Sequence, residues 1–144
     1  MNDLYPIVQK FHAGWAYVVL VLLLVAVFTA VIGVSSKKEF TPGSRRAALL
    51  GLIGVHIQLL VGLVLYFVSP LGKDALPNMK DAAFRLTALE HPAINIVAII
   101  LITVGWSAHK RKPDSQQKFK TIAIFYTIGT ILILSRIPWD LWFK

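Results

Sequence analysis

Four long stretches of apolar residues divide the chain, and polar connections separate them. The stretches cover residues 13–34, 47–68, about 91–108 and about 119–134. Each approaches the roughly 20 residues that an α-helix needs to cross the apolar core of a bilayer. The pattern predicts an all-α protein, a four-helix transmembrane up-down bundle that forms a single domain over residues 1–144. The first stretch is too long for a secretory signal peptide and lacks a basic start and a small-residue cleavage site, so we expect it to be retained.

The longest connection, residues 69–90, contains a further helical segment. After a Pro-Asn start, its sequence PNMKDAAFRLTALEHP is rich in helix formers. It predicts a short outer-face helix between the second and third spans, which continues into the third span or ends before it. Pro92 then either kinks this helix or occupies the first turn of a new one, because proline lacks a backbone donor and crowds the preceding turn.

The composition agrees with a membrane protein. Apolar residues make up 56% of the chain and charged residues only 15%, well below the charged share of a soluble domain. The mean hydropathy is +0.67. The chain has no cysteine, which excludes disulfides, thiolate metal ligands, iron–sulfur clusters and haem attached through thioethers.

Basic residues are distributed unequally between the connections. Nine lie in or beside the first and third connections: Lys37, Lys38, Arg45, Arg46, Lys110, Arg111, Lys112, Lys118 and Lys120. The second connection has three, which three acidic residues balance. The positive-inside rule therefore predicts that both termini face outward. We assign the net charge of +8 to this topology and to anionic lipid headgroups, so the expected partner is the lipid bilayer and not nucleic acid.

Two of the four histidines have contrasting positions along the spans. His109 adjoins Lys110, Arg111 and Lys112, where we expect a solvated side chain. His56 lies near the middle of the second span, about 15 Å from Arg46 along the helix. An ionisable group at that depth either has a function or forms a hydrogen bond with a neighbouring helix, and the sequence leaves both interpretations open.

The other two histidines begin spans that run in the same direction. His12 lies roughly 37 Å along the first span from Lys37, and His91 about 28 Å along the third span from Lys110. The depth of His91 is therefore closer to that of His12 than to that of His56. His12 and His91 are therefore the preferred pair near the outer face.

Two imidazoles on different helices are a suitable ligand set for a b-type haem, whose apolar ring fits between helices and needs no cysteine. We therefore expect haem b as the cofactor and His12 and His91 as its iron ligands. His56 is an alternative ligand or a residue of the pocket.

Side chains near the outer face are candidates for managing charge around this site. Glu90 either accepts a hydrogen bond from a nearby imidazole or forms an interfacial salt bridge with Arg85. The residues expected to meet haem propionates are Arg85, Lys80, Trp15 and Tyr17.

Small residues recur in the second span and predict close helix packing there. They are Ala47, Gly51, Gly54 and Gly62. With Gln58 they would also let a flat ring approach. His56 and Gln58 point about 200° apart on a helix and should face different neighbours.

These segments together resemble a family of small four-span bacterial membrane proteins labelled "cytochrome b". The likeness covers most of the chain: FHAGWAY, SKKEFT, HIQLLVGLVLYFVSP, FRLTALEHP, KFKTIAIFY and LSRIPW. It implies haem binding and a bacterial cytoplasmic (inner) membrane location. The histidines on alternate spans and HIQLLVGL also look like one four-helix half of haem A synthase. The acid expected before the first-span histidine is absent, since Gln9 and Lys10 stand there, so haem hydroxylation is not implied.

Three functional hypotheses follow. The first is a one-haem electron-transfer protein or quinone-linked redox subunit, with quinone or other membrane redox subunits as partners. The second is an accessory subunit of a larger membrane complex, in which the histidines only form hydrogen bonds. The third is a metal site or proton relay built from His12, His56, Glu90 and His91. The sequence shows no internal repeat of the kind that many transporters contain, so a transporter is not expected.

Overall fold

The computed structural model describes residues 3–143 and contains four long helices with shorter helical segments between and after them. The four long ones are long and apolar enough to cross a membrane. In chain order the elements are α1 (Leu4–Ser35), α2 (Pro42–Val68), a 3₁₀-helix (Lys73–Asn78), α3 (Ala82–Arg85), a π-helical turn (Leu86–Glu90), α4 (His91–His109), α5 (Ser115–Ser135) and α6 (Trp139–Trp142). The all-α four-helix bundle predicted from the sequence is confirmed.

The long helices alternate in direction around a ring. α1 packs against α2 and α5, and α4 packs against α5 and more sparsely against α2. One end of the bundle holds the start of α1 and the end of α5, and we call it the terminal end. The opposite end holds the α1–α2 and α4–α5 connections with their basic residues, and we call it the hairpin end.

Local sequence fixes the tight connection between α1 and α2. Lys37 has a positive φ of 48°, and the N–H of Lys38 donates to the Gly33 carbonyl at 3.0 Å, a Schellman ending that satisfies the last carbonyls of α1. Thr41 and Ser44 then form a reciprocal capping box, with Pro42 in the first turn of α2. The connection therefore reverses the chain within a few residues.

The same connection also fastens the start of α5. The N–H of Phe40 donates to Ser115 Oγ at 2.8 Å, and Gln116 Nε2 donates to the Gly33 carbonyl at 3.0 Å. Asp114 caps α5 by accepting the N–H of Gln117 at 2.9 Å. These bonds connect the two hairpins at the end of the bundle that bears most of the positive charge.

Helices approach closely where glycine faces a large side chain. A Cβ at Gly33 would lie 2.6 Å from the ring of Phe119, and one at Gly129 would lie 2.6 Å from Ile102 Cγ1. The predicted packing role of Gly51 and Gly54 is confirmed, since both are buried against side chains of α1. Between lipid-facing helices, such close contact replaces the hydrophobic driving force that water would supply.

Two hydrogen bonds across the core join α2 to α5, which is diagonally opposite, and to the adjacent α1. Tyr126 is fully buried and donates its hydroxyl to the Ala48 carbonyl at 2.7 Å. Trp15 Nε1 donates to the Gly54 carbonyl at 3.1 Å. Each bond satisfies a polar atom on an aromatic side chain that the bundle would otherwise bury without a partner.

The third span is longer than its apolar stretch. Residues Ala82–His109 form one continuous helical span, so the interpretation in which the outer-face helix continues into the third span is confirmed. Asp81 caps it by accepting the N–H of Ala83 at 2.8 Å. At its π-helical turn the N–H of His91 donates to the Leu86 carbonyl, and Pro92 follows in the first turn of α4.

The outward faces of the bundle are apolar. Large side chains such as Val21, Phe28, Ile100 and Ile131 are more than half exposed, which a soluble monomer rarely shows over so wide an area. Together with the four candidate spans, this surface indicates a multi-pass membrane protein. Three of the predicted boundaries were late: α1, α2 and α5 begin before their apolar stretches, because polar residues also form regular turns beyond a bilayer core.

Replacing Gly129 by alanine tests the close contact between α4 and α5. The new methyl would meet Ile102 Cγ1 at 2.6 Å and the Ala98 carbonyl oxygen at 3.1 Å, so the helices must separate. We expect Gly129→Ala to lower the free energy of unfolding by about 1–3 kcal/mol, measured in detergent. Gly14→Ala is the matched control, since nothing lies within 4 Å of its added Cβ, and it should be neutral or stabilising. Equal stability of the two variants would contradict this packing.

Candidate functional site

The bundle brings His12 and His91 together at its terminal end. Their ring centroids lie 6.2 Å apart, and the rings are nearly perpendicular at 80°. The two residues belong to α1 and α4, which are diagonal across the ring of helices. The structure thus brings together the two imidazoles that the depth argument paired.

His91 is held by the end of α5. Its Nδ1 lies 2.7 Å from the Arg136 carbonyl, and because a carbonyl only accepts, Nδ1 carries the proton and Nε2 keeps a lone pair. Asn95 Nδ2 donates to the His91 carbonyl at 2.6 Å. A backbone acceptor on one ring nitrogen is the usual way to orient a histidine whose other nitrogen binds a ligand.

His12 is half-buried against α2 and has an unsatisfied nitrogen. Gln58 Nε2 donates to the His12 carbonyl at 3.0 Å and lies 3.5 Å from its Nε2. His12 Nδ1 and Gln58 Oε1 are both buried without a partner among the described residues. A Cβ at Gly62 would lie 3.1 Å from His12 Cε1, so the absence of a side chain there makes room for the imidazole.

Glu90 takes part in a charged network beside this pair. It accepts from Arg85 Nε at 3.0 Å and lies 3.4 Å from Arg136 Nε, and Arg85 Nη1 donates to the Met79 carbonyl at 3.1 Å. The predicted Arg85–Glu90 salt bridge is confirmed. The alternative, a direct bond from an imidazole to Glu90, is not formed, because the carboxylate faces two guanidinium groups. Glu90 acts on His91 only indirectly, through Arg136.

The other expected propionate partners differ in their surroundings. The N–H of Trp15 is engaged by the Gly54 carbonyl and is turned into the bundle instead of toward the outer face. Tyr17 packs against Trp142 with centroids 4.4 Å apart. Lys80 is exposed. Of the four candidates, Arg85 alone joins the network next to His91.

His56 stands apart from the pair. Its Nδ1 donates to the Leu52 carbonyl of its own helix at 2.8 Å, so it does not bond a neighbouring helix as one interpretation expected. The imidazole lines a crevice between α2 and α4, whereas Gln58 reaches His12 on α1. The predicted difference in direction between His56 and Gln58 is confirmed.

The expectation of a solvated His109 was wrong. The side chain is 1% exposed and packs between Trp106 and Phe40, at centroid distances of 4.7 and 5.4 Å. Its Nδ1 donates to the Trp106 carbonyl. The neighbouring basic residues project outward while the fold of the α1–α2 connection covers the ring, which no local pattern could indicate.

The four residues proposed as a metal site or proton relay do not come together. Glu90 faces two arginines, and His56 lies in a separate crevice. Within residues 3–143, no group of three or more His, Cys, Asp or Glu side chains is placed to hold a metal ion. What the fold does assemble is a pair of imidazoles, His12 and His91.

Sequence reasoning missed Arg136 and Asn95 as parts of this site. Arg136 follows the fourth apolar stretch in LSRIPW, and its position at the same end of the bundle as Glu90 could have indicated the ion pair. Asn95 lies four residues after His91, on the same helix face.

Comparisons with known proteins add no identification. No protein-family model, no curated protein and no solved structure matches the chain.

The tautomer of His91 is directly measurable. We expect ¹⁵N NMR of the neutral imidazole to show a protonated Nδ1 and a bare Nε2, because the Arg136 carbonyl requires a donor at Nδ1. The signal is assigned by its loss in His91→Gln. A neutral ring protonated at Nε2 would contradict the placement of α5 against His91.

Proposed function

We propose that the protein is a b-type haem-binding electron-transfer protein of a bacterial cytoplasmic membrane, with His12 and His91 as the iron ligands. The observation that carries the proposal is the meeting of two imidazoles from different helices at 6.2 Å. If His12 and His91 held one iron at metal–nitrogen distances of about 2 Å, their ring centroids would lie roughly 6 Å apart.

The surroundings of both rings support a ligand role. His91 keeps the lone pair of Nε2 because its Nδ1 proton is engaged by the Arg136 carbonyl. His12 has a buried nitrogen without a partner among residues 3–143, and such an atom is costly unless something binds it. Both conditions favour coordination over a purely structural hydrogen bond.

The charged network suits a cofactor with carboxylate groups. Arg85 and Arg136 share the single carboxylate of Glu90, so the cluster retains one net positive charge beside His91. Haem propionates would find bidentate donors there. Haem supplies reversible one-electron chemistry when bound, and the apolar helices around it exclude water and tune its potential.

The orientation proposed for the chain places this site near the outer face. Aromatic rings gather at the terminal end, where Trp139, Trp142 and Phe143 pack within 6 Å of one another, as in an interfacial belt. The basic residues gather at the hairpin end. The aromatic rings support an interfacial position for the terminal end, and the basic residues at the opposite end support outward-facing termini, with electrons exchanged near the outer surface.

Haem binding is tested by absorption spectroscopy. The protein is produced with supplied haem, purified in detergent, and measured oxidised and after dithionite reduction. We expect a reduced b-type spectrum that His12→Ala and His91→Ala each abolish, because each variant removes one axial ligand. Both variants should still be extracted from the membrane fraction, since insertion depends on the apolar spans.

His56→Ala is the control for these substitutions. It should retain the spectrum, weakened or shifted at most, since this imidazole is bonded to its own helix. If wild-type protein shows no haem band, the proposal fails in favour of an accessory subunit. If His56→Ala alone removes the band, haem is bound but by other helices.

Reporter fusions test the orientation. A reporter that is active only in the cytoplasm should be active in the connection between α4 and α5 and silent after residue 144, because nine basic residues surround the hairpin-end connections. A periplasmic reporter should give the reverse result. Cytoplasmic activity at the C-terminus would contradict the proposed topology.

A further inference from the structure

The sparse contact between α2 and α4 leaves a crevice of about 310 Å³. Its walls consist chiefly of His56, Leu59, Ile96, Ile99, Ile100 and Thr103. The crevice opens sideways, since Ile96 and Ile100 are 41% and 56% exposed on the face that the bundle presents to lipid. A ligand would therefore enter from the bilayer and not from water.

The two polar groups on its walls offer acceptors only. The Nδ1–H of His56 is donated to the Leu52 carbonyl at 2.8 Å, which leaves a lone pair on Nε2 in the neutral ring. The hydroxyl of Thr103 is donated to the Ile99 carbonyl at 2.7 Å, which leaves lone pairs on Oγ1. Neither acceptor has a hydrogen-bond donor among residues 3–143.

Acceptors in a water-poor crevice select a ligand by its donors. His56 lies on α2 and Thr103 on α4, so the two acceptors stand on opposite walls. A ligand with hydroxyl groups on two opposite edges would satisfy both. An acyl chain would satisfy neither, and an oxidised quinone would bring its carbonyl lone pairs against those of the protein.

We propose that this crevice is a binding site for the headgroup of a reduced quinone, a quinol, drawn from the bilayer. The aliphatic walls of Leu59, Ile96, Ile99 and Ile100 receive the ring, and His56 Nε2 and Thr103 Oγ1 accept from its two hydroxyls. The protein therefore binds the reduced form in preference to the oxidised form.

The site is distinct from the histidine pair but adjacent to it. Gln58, two residues after His56, contacts His12 on the other side of α2. Helix α2, about 10–12 Å in diameter with its side chains, separates the crevice from His12, whereas His91 begins α4, the helix that forms the opposite wall. Quinol binding requires no haem, so it is measured on protein purified without added haem, and its failure would not affect the haem proposal.

The experiment compares two small probes of one shape, duroquinol and duroquinone, under anaerobic conditions. Full-length protein in lipid nanodiscs is titrated with each, binding is measured by ligand-detected NMR, and empty nanodiscs give the partition background. We expect duroquinol to bind roughly a hundredfold more tightly than duroquinone, the effect of two net hydrogen bonds of about tenfold each. Equal affinities, or tighter binding of duroquinone, would overturn the proposal and would indicate that the crevice accommodates lipid acyl chains instead.

Two variants remove one acceptor each with little change of shape. His56→Phe and Thr103→Val should each weaken duroquinol binding about tenfold. Neither should weaken duroquinone binding, which shows that the crevice remains open. Thr121→Val is the matched control: it removes a hydroxyl bonded to its own helix in the same way, but on α5, and should bind duroquinol normally. Unchanged duroquinol affinity in both crevice variants would refute the assignment.

Discussion

Close contact between helix backbones is the constraint on which the rest of this structure depends. In a bilayer, burying an apolar side chain between helices gains little over leaving it in lipid, so association depends on packing and on polar bonds across the interface. Gly33, Gly51 and Gly129 provide that approach by receiving side chains of the facing helix. Tyr126 and Trp15 then fix the relative positions of the helices through single hydrogen bonds to backbone carbonyls.

The terminal end owes its chemistry to this packing. His12 occupies its position because Gly62 leaves room for the ring, and His91 is oriented by a carbonyl at the end of α5. The π-helical turn before Pro92 connects the outer-face segment to the third span without a break. Such turns often occur at functional sites, because the extra residue changes which side chains face inward. Glu90 holds Arg136 and thereby the chain that carries the acceptor for His91.

Packing around the ring of helices is uneven. α1 is in close contact with α2 and with α5, whereas α2 and α4 meet sparsely. The imidazole of His56 therefore faces a crevice instead of a neighbouring backbone. His56 thus has different surroundings from His12 and His91, which meet at the terminal end.

The sequence by itself determined the four spans, their alternating direction and the charge difference between the two ends. The spans and their direction follow from the length of the apolar runs, and the charge difference follows from the positions of the basic residues. Neither depends on contacts between helices. The sequence also indicated that His12 and His91 lie at the same end of the bundle, because depth along a helix is a local quantity. Only the tertiary structure decided that His109 is buried, that Glu90 pairs with Arg136, and that His56 bonds its own helix beside an open crevice. Each of these depends on how the helices rotate about their axes and how far apart they pack, and that is set by contacts between residues distant in the chain.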